Sequence, residues 1–439
     1  MVVLSCLLLT GIPASAAGLI RDAEIERTLN AAARPLLQQA GVPVVSTNIL
    51  IVNDTSMNAF VAGGNNIFVH AGLVMKLESV EMLQAVLAHE IGHITGGHAM
   101  QRAVGATSAG SAAGIGILLS LLTAAASGEA SAGGAVMLGT ADAVRNSVLS
   151  NTRAQEASAD QSGVRYMAAA GIDPSPTLDV LNMFRGQELL STQHLDPYAR
   201  THPIWSDRIA RLKGYVSAYK PRAVQMQDED IGYWYERAQA KFRGFIQSPK
   251  STLQRYPESD TSEPALLARA VAYHRQGMTA KALASVDTLI GKRPDDAYYH
   301  ELKGQILLES GKVSAAVQSY RRAVELAPKE SLIQSGLGRA LLATDTPANN
   351  KEALLTLTKS HSQDQRDGNM LRDLALAYAR DGQNGMASVI TAERYALAGN
   401  FKQATIHAKR AQNVLPQGTI GWLRADDILI AAKALEKGK

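Results

Sequence analysis

The sequence has almost no cysteine. Its single thiol, Cys6, lies within an apolar run at the start of the chain. Removal of that run would leave a protein without any thiol, so no disulfide framework is available to stabilise it. A chain of this kind is at home in an oxidising compartment, and the bacterial periplasm fits best. A lipid anchor on Cys6 is the alternative, with only five residues before it.

A strong excess of charge of one sign is also missing. The chain has 44 Lys and Arg against 40 Asp and Glu, a formal net charge of +4. This small excess does not indicate a nucleic-acid-binding protein. Aromatic residues make up only 5%, whereas apolar residues make up 46% and charged residues 19%. This composition indicates a globular chain, and its alanine, glycine and leucine favour closely packed helices. A length of 439 residues predicts two or three domains.

The first residues are typical of a secretory signal peptide. Val2 to Leu9 is almost entirely apolar, and the small residues of 13–17 offer a cleavage site after Ala16 or Ala17. No Lys or Arg precedes the apolar run, although such signals usually begin with one. We therefore expect 1–17 to be a cleaved signal peptide. An N-terminal core helix is the alternative.

Residues 103–128 contain no charged side chain. A membrane span needs about 20 mostly apolar residues, and this stretch is long enough. Its many Gly and Ser residues favour a soluble helical hairpin or a loop near the active site instead. We expect at most peripheral membrane contact through 103–143, with a single span as the alternative.

The C-terminal part of the chain repeats. Gly277 and Gly311 are 34 residues apart, as are Pro294 and Pro328, and further small residues keep this interval. A period of 34 with a closing proline is the tetratricopeptide pattern, in which helix pairs stack into a solenoid. The register slips after Asp345. We predict connecting helices over 216–262 and a solenoid over 263–439.

Candidate metal ligands and a candidate general base lie in the segment His89-Glu90-Ile91-Gly92-His93. Two histidines four residues apart are separated by about 400° on a helix, so both imidazoles leave the same face and can share one zinc ion. Glu90 lies beside them and can accept a proton from a zinc-bound water. The alternative is a solvated helix face with coincidental histidines.

A zinc site of this type needs a third protein ligand. His98 is one candidate, but on a continuing helix it would point away from His93, so we interpret it as a local helix-end or packing histidine. Glu156 is the better candidate and would complete a His₂Glu site with an open position for water. Asp160 lies on the same helical face and can orient a ligand imidazole.

These motifs together resemble metallopeptidase family 48, the gluzincins of the HtpX, Oma and CAAX prenyl-protease type. The resemblance rests on His-Glu-x-x-His, the later Glu-x-x-x-Asp, the later His202-Pro203, and the strand-and-turn residues 58–72 before the metal helix. It implies a mainly α fold: an α+β gluzincin domain with a small sheet over 18–215, followed by the α-solenoid.

The resemblance also implies roles for individual residues. One zinc ion per chain would be bound by His89, His93 and Glu156, with Glu90 as the catalytic acid and base. His202 would lie at the active site, where it stabilises an oxyanion or takes the fourth zinc position. Arg208 would lie near the substrate or the acidic residues.

The combination of signal peptide, peptidase domain and repeats is similar to the periplasmic branch of this family. It implies a protease that degrades misfolded or stalled outer-membrane proteins, assists their assembly, and contacts the β-barrel assembly machinery through the solenoid. The alternative is a scaffold or chaperone of that machinery with a latent zinc site. A membrane-embedded protease is disfavoured, because those members have several strong spans.

The short strand Asn66 to His70 follows a Gly-Gly turn and precedes the metal helix. We expect it to be an edge strand that binds the substrate backbone by strand addition, which would give weak sequence preference. An interior strand paired on both sides is the alternative.

Overall fold

The computed structural model describes residues 18–99, 101, 151–185, 196–203, 206–219 and 230–437. The expectations for the signal peptide and for 103–143 lie outside these residues. Within the described ranges, no helix is long and apolar enough to cross a membrane.

A four-stranded sheet lies at the start of the chain. Its strands are β1 (Leu19–Ile20), β2 (Asn48–Val52), β3 (Ala59–Ala62) and β4 (Asn66–His70), in the order β1-β2-β4-β3. Strands β2 and β4 are parallel, whereas β3 pairs antiparallel with β4 and β1 with β2.

The prediction that Asn66–His70 is an edge strand is wrong. This strand, β4, pairs with β2 on one side and with β3 on the other. The turn at Gly63 and Gly64, both with positive φ, folds β3 back onto β4 and leaves β3 outermost in the described part of the sheet. Local alternation predicted the strand, but it carries no information on which strands become its neighbours.

Seven helices accompany the sheet in the described part of the first domain: α1 (Ala23–Ala40), α2 (Ala71–Lys76), α3 (Val80–Thr95), α4 (Arg153–Ala169), α5 (Pro176–Met183), α6 (Pro197–Thr201) and α7 (Ser206–Ala218). The apolar faces of α1 and α3 meet in one core. Its fully buried members include Leu29, Leu36, Leu83 and Leu87. Each such side chain contributes about 1.5–3 kcal/mol of burial free energy, which fixes α3 against the rest of the domain.

Two breaks bound the helix that carries the metal motif. Helix α2 ends at Lys76, and α3 starts only at Val80, where the Ser79 hydroxyl accepts a hydrogen bond from the Met82 N–H as an N-cap. Helix α3 ends at Thr95 and is followed by Gly96 and Gly97. The metal motif therefore lies on the last two turns of α3.

The rest of the chain is helical. Two connecting helices, α8 (Ile231–Ile246) and α9 (Pro249–Arg255), precede ten helices of the solenoid: α10 (Glu263–Arg275), α11 (Thr279–Lys292), α12 (Ala297–Glu309), α13 (Val313–Leu326), α14 (Ser331–Ala343), α15 (Pro347–Gln363), α16 (Gly368–Arg380), α17 (Asn384–Leu397), α18 (Phe401–Val414) and α19 (Ile420–Lys437). Gly277, Gly311 and Asp345 occupy the same turn in successive repeats, and all three have positive φ. The predicted fold class is confirmed.

Buried charges connect the first domain to the solenoid. Arg237 of α8 is fully buried; its Nε lies 2.6 Å from Glu24 of α1 and its Nη1 lies 2.6 Å from Asp296, the N-cap of α12. One turn later, Lys241 of α8 lies 2.7 Å from Asp22. Since one connecting helix pairs with both sides, the two parts share a charged interface.

Candidate metal centre

The centre lies where α3 crosses α4. A Cβ atom placed on Gly92 would be 2.8 Å from the carbonyl oxygen of Ala159, and one on Gly163 would be 3.1 Å from the backbone of Ala88. The two helices therefore approach to backbone contact. This approach brings the last turns of α3 against the first turns of α4, which starts with a capping box between Thr152 and Gln155.

Four buried side chains converge at this crossing: His89, His93, Glu156 and His202. The Nε2 atoms of His89 and His93 are 3.0 Å apart. The Glu156 carboxylate lies 3.3 Å from Nε2 of His93 and 3.4 Å from Nε2 of His89. His202 presents Nδ1 at 3.0 Å from Glu156 and 3.3 Å from Nε2 of His89.

These separations fit one tetrahedral metal ion. Zinc bonds to nitrogen and carboxylate oxygen are about 2.0–2.2 Å long, so tetrahedral ligand atoms lie roughly 3.3–3.5 Å from one another. The five separations, between 3.0 and 3.4 Å, are close to that range. Two imidazoles, a carboxylate and a third imidazole are also the donor types that zinc prefers.

Asp160 and Arg208 support this group from behind. Nδ1 of His89 lies 3.0 Å from Asp160, which therefore accepts its N–H. Arg208 donates to both Asp160 oxygens, from Nε at 2.8 Å and from Nη2 at 2.9 Å, and its Nη1 lies 2.7 Å from Glu156. The structure thus places Arg208 among the acidic residues and brings it into contact with a candidate ligand.

Charge pairing opposes the effect of burial on these groups. Burial alone would raise the pKa of Asp160, but the charge of Arg208 and the hydrogen bonds from His89 and Arg208 together outweigh it and lower the pKa to about 2. Glu156 behaves in the same way: burial is overcome by Arg208 and His202, which hold the pKa of its carboxyl well below the usual range. Both groups are therefore carboxylates at neutral pH, as metal coordination requires.

The two motif histidines have opposite shifts. Burial would lower the pKa of His89, but its hydrogen bonds to Asp160 and Glu156 raise the pKa to about 10. Burial lowers the pKa of His93 well below its usual value, despite a hydrogen bond to Glu156. Without a metal ion, a proton at this site therefore resides on His89.

The interpretation of His98 as a residue that points elsewhere is wrong. Nδ1 of His98 lies 2.8 Å from Nδ1 of His93, and the two rings meet edge to face with centroids 5.0 Å apart. The physical reason is that α3 ends at Thr95. The chain turns at Gly96 and Gly97, so His98 folds back instead of continuing around the helix.

Glu90 lies in the same buried space as the candidate ligands. Its side chain is fully buried, and its Oε1 is 3.4 Å from Nε2 of His202. The structure therefore brings Glu90 next to the group formed by His89, His93, Glu156 and His202.

His202 follows directly after the short helix α6. Its Nε2 lies 3.1 Å from the carbonyl oxygen of Ala59 in β3, and its ring packs on Tyr198 with centroids 4.6 Å apart. A carbonyl only accepts hydrogen bonds, so the tautomer with its proton on Nε2 is the one that would pair with Ala59 when a metal ion is bound. The lone pair of Nδ1 then faces the metal group.

Two stretches of the chain match known family models. Residues 20–216 match the model described as Peptidase family M48, and residues 265–331 match the model described as Tetratricopeptide repeat. The first domain therefore has the sequence pattern of metallopeptidase family 48. This is a family of metallopeptidases, and the buried group described above can hold the metal ion.

Several curated proteins are similar to nearly the whole chain. The chain is 26% identical over 421 residues to the β-barrel assembly-enhancing protease of Escherichia coli strain K12, covering 93% of this chain and 83% of that protein. The Yersinia pestis protein of the same name is 24% identical over 399 residues, covering 89% and 79%. These similarities thus extend beyond the peptidase domain of this chain into its repeats.

Solved structures, among them a tetratricopeptide protein, are similar to part of the chain. The YrrB structure covers 40% of this chain and 91% of its own chain, with 16% identity and a TM-score of 0.32. The MamA structure from strain MSR-1 covers 40% and 97%, with 18% identity and a TM-score of 0.29.

Among the residues that the structure describes, sequence reasoning missed two that lie around this site, Asn151 and Tyr198, and misjudged a third. Asn151 Nδ2 lies 3.4 Å from Nε2 of His93 and from Nδ1 of His202, and Tyr198 packs on His202. His98 is the third. Only the position of His98 could have been predicted from the sequence. Gly96-Gly97 is a helix-stop signal, and the assumption of a continuous helix overlooked it.

Proposed function

We propose that the chain is a zinc metalloendopeptidase in which His89, His93 and Glu156 hold one zinc ion. The observation that carries the proposal is the set of ligand-atom separations of 3.0–3.4 Å, in a fully buried group built from the donor types zinc prefers. When bound there, zinc would polarise the scissile carbonyl and acidify the attacking water.

Glu90 is the proposed general base and acid. Its carboxylate would take a proton from the attacking water as the water oxygen bonds to the scissile carbonyl carbon. It would then give that proton to the amine nitrogen as the carbon–nitrogen bond breaks, so that protons balance over the cycle. The burial of Glu90 beside the metal group supports this role.

Asp160 and Arg208 are proposed to position the ligands rather than to contact substrate. Asp160 accepts the Nδ1–H of His89 and so fixes the tautomer that presents Nε2 to the metal. Arg208 holds Asp160 with two hydrogen bonds and keeps Glu156 ionised. These contacts support a positioning role for Arg208 in place of a direct catalytic one.

His202 is proposed to occupy the fourth metal position in a resting form. Its Nε2–H is directed to the Ala59 carbonyl, and its Nδ1 points into the group of ligands. This geometry favours a protein cap on the metal over an oxyanion donor, because an N–H and not a lone pair would have to face the oxyanion.

We further propose that this peptidase acts in the periplasm on unfolded or misfolded outer-membrane proteins. The solenoid would contact the β-barrel assembly machinery. The support is the similarity over 93% of the chain to a protein named β-barrel assembly-enhancing protease, together with the tetratricopeptide repeats of this chain. A scaffold or chaperone with a latent zinc site is the alternative, and the resting position of His202 is the observation that favours it.

Proteolysis and zinc content, measured on the same samples, test the proposal. Casein and an unfolded porin are incubated with wild type and with Glu90→Gln, which keeps the size of the side chain but removes the base. We expect one zinc ion per chain in both proteins and cleavage by the wild type alone. Equal cleavage by both would refute the role of Glu90. Zinc in both without cleavage by either would favour the scaffold.

A further inference from the structure

We propose that His98 is a positioning residue for the zinc ligand His93, with its Nδ1 accepting the N–H on Nδ1 of His93. The inference rests on the proposed zinc site, and it adds a residue that lies outside the His-Glu-x-x-His motif. The two Nδ1 atoms are 2.8 Å apart, and both side chains are at least 95% buried.

The chemistry of a neutral imidazole requires such a partner. His93 presents Nε2 to the other ligand atoms, so in the metal-binding tautomer its Nδ1 carries the proton. A buried N–H without an acceptor costs about 1–3 kcal/mol. The nearest ring nitrogen, Nδ1 of His98, can accept this hydrogen bond only when the proton of His98 resides on Nε2.

The arrangement repeats what Asp160 does for His89. Each ligand histidine would donate the N–H of its Nδ1 to one buried acceptor, at 3.0 Å for His89 and at 2.8 Å for His93. The acceptors differ in charge, because Asp160 is a carboxylate and His98 is an imidazole. A single charged acceptor limits the negative charge buried behind the metal, where Glu90 and Glu156 are already present.

The backbone after α3 places this acceptor. Gly96 continues the helix with φ of −75°, and Gly97 then takes the left-handed conformation with φ of +63°, which turns the chain back. A Cβ atom on Gly96 would lie 2.3 Å from Nε2 of His98, so the ring packs directly on the glycine. The Gly-Gly pair thus both ends the helix and makes room for the imidazole.

Zinc affinity tests the inference. Chelator competition is performed on wild type, His98→Ala and His98→Asn, with His274→Ala in the solenoid as the control. We expect His98→Ala to bind zinc 10–100-fold more weakly, the usual effect of losing an outer partner of a metal ligand. His98→Asn should recover most of this loss, because its amide oxygen can take the place of Nδ1. The His274→Ala variant should match the wild type.

A second variant leaves the histidine in place. Gly96→Ala keeps a helical φ but displaces the His98 ring, so it should weaken zinc binding to a similar extent. If His98→Ala does not fold, Gly96→Ala still tests the inference. Circular dichroism and urea unfolding of the zinc-free proteins check that the variants are folded.

The outcomes separate the two proposals. If the wild type binds zinc and both His98→Ala and Gly96→Ala bind it with unchanged affinity, only the role of His98 is overturned. The role of His98 would also be overturned if His98→Asn bound zinc as weakly as His98→Ala. Such a result would mean that an acceptor at this position does not restore zinc binding and that His98 only fills space. A wild type that holds no zinc would overturn the proposed metal site and this inference with it.

Discussion

Gly92 of α3 and Ala159 of α4 are in backbone contact. A Cβ atom on Gly92 would lie 2.8 Å from the Ala159 oxygen and 2.9 Å from its Cα. The separation of the helices that carry His89, His93 and Glu156 is therefore set by backbone atoms. A methyl group at this position has no flexible neighbour to displace.

Gly92→Ala should push α3 and α4 apart. We expect it to lower the free energy of unfolding by about 1–3 kcal/mol through overpacking and to weaken zinc binding. Urea unfolding and chelator competition measure the two effects. Gly214→Ala is the matched control: Gly214 lies in α7, has open space around it, and should gain up to about 1 kcal/mol from the helix propensity of alanine. Equal stability in both variants would contradict the contact.

Zinc affinity should rise with pH. In the zinc-free protein, the hydrogen bonds of His89 raise its pKa to about 10, so near neutrality a proton must leave before zinc binds. Below that pKa, each pH unit should strengthen binding about tenfold. Chelator competition at pH 6, 7 and 8, corrected for protonation of the chelator, checks this slope. Asp160→Asn removes a cause of the raised pKa and should flatten it, whereas a flat wild-type profile would contradict the assignment.

His202→Ala should raise proteolysis several-fold. Removal of Nδ1 from its place beside His89 and Glu156 would free the fourth metal position for water or substrate. Initial rates of casein cleavage and of self-cleavage measure the effect, with His274→Ala as the control. A loss of about 10²–10³-fold in turnover would instead identify His202 as an oxyanion donor. An unchanged rate would remove it from both roles.

The neighbouring residues Asp295 and Asp296 should differ sharply in their effect on stability. Asp296 pairs with the buried Arg237, whereas Asp295 pairs with the exposed Arg322. Asp296→Asn keeps the α12 cap but removes the charge, and we expect it to cost about 2 kcal/mol of unfolding free energy. The corresponding change of Asp295 should cost under about 1 kcal/mol. Urea unfolding compares them, and similar midpoints would show that the buried pair contributes little.

The sequence predicted which candidate site residues share a helix face, because helix geometry depends only on local spacing. His89 and His93 share a face by helix geometry, as do Glu156 and Asp160, and the structure brings both pairs into one buried group. The 34-residue period likewise predicted the solenoid. It even aligns Asp345 with Gly277 and Gly311, and Asp345 has a positive φ like theirs.

Long-range arrangement was not readable. Strand β4 pairs with β2 and β3, and the alternation of residues within β4 does not predict which strands become its neighbours. The direction of His98 depends on two glycines that stop the helix, and extrapolation of α3 by 100° per residue missed this turn. Asn151 reaches the site only because its backbone N–H bonds to the carbonyl of Thr201, 50 residues away.

The position of Arg237 between Glu24 and Asp296 has a consequence for motion within the chain. A hinge that separated α1 from α12 would leave the buried guanidinium without one of its carboxylates, which costs about 3–5 kcal/mol. The contact therefore opposes such a hinge and favours one orientation of the repeats relative to the helices of the first domain.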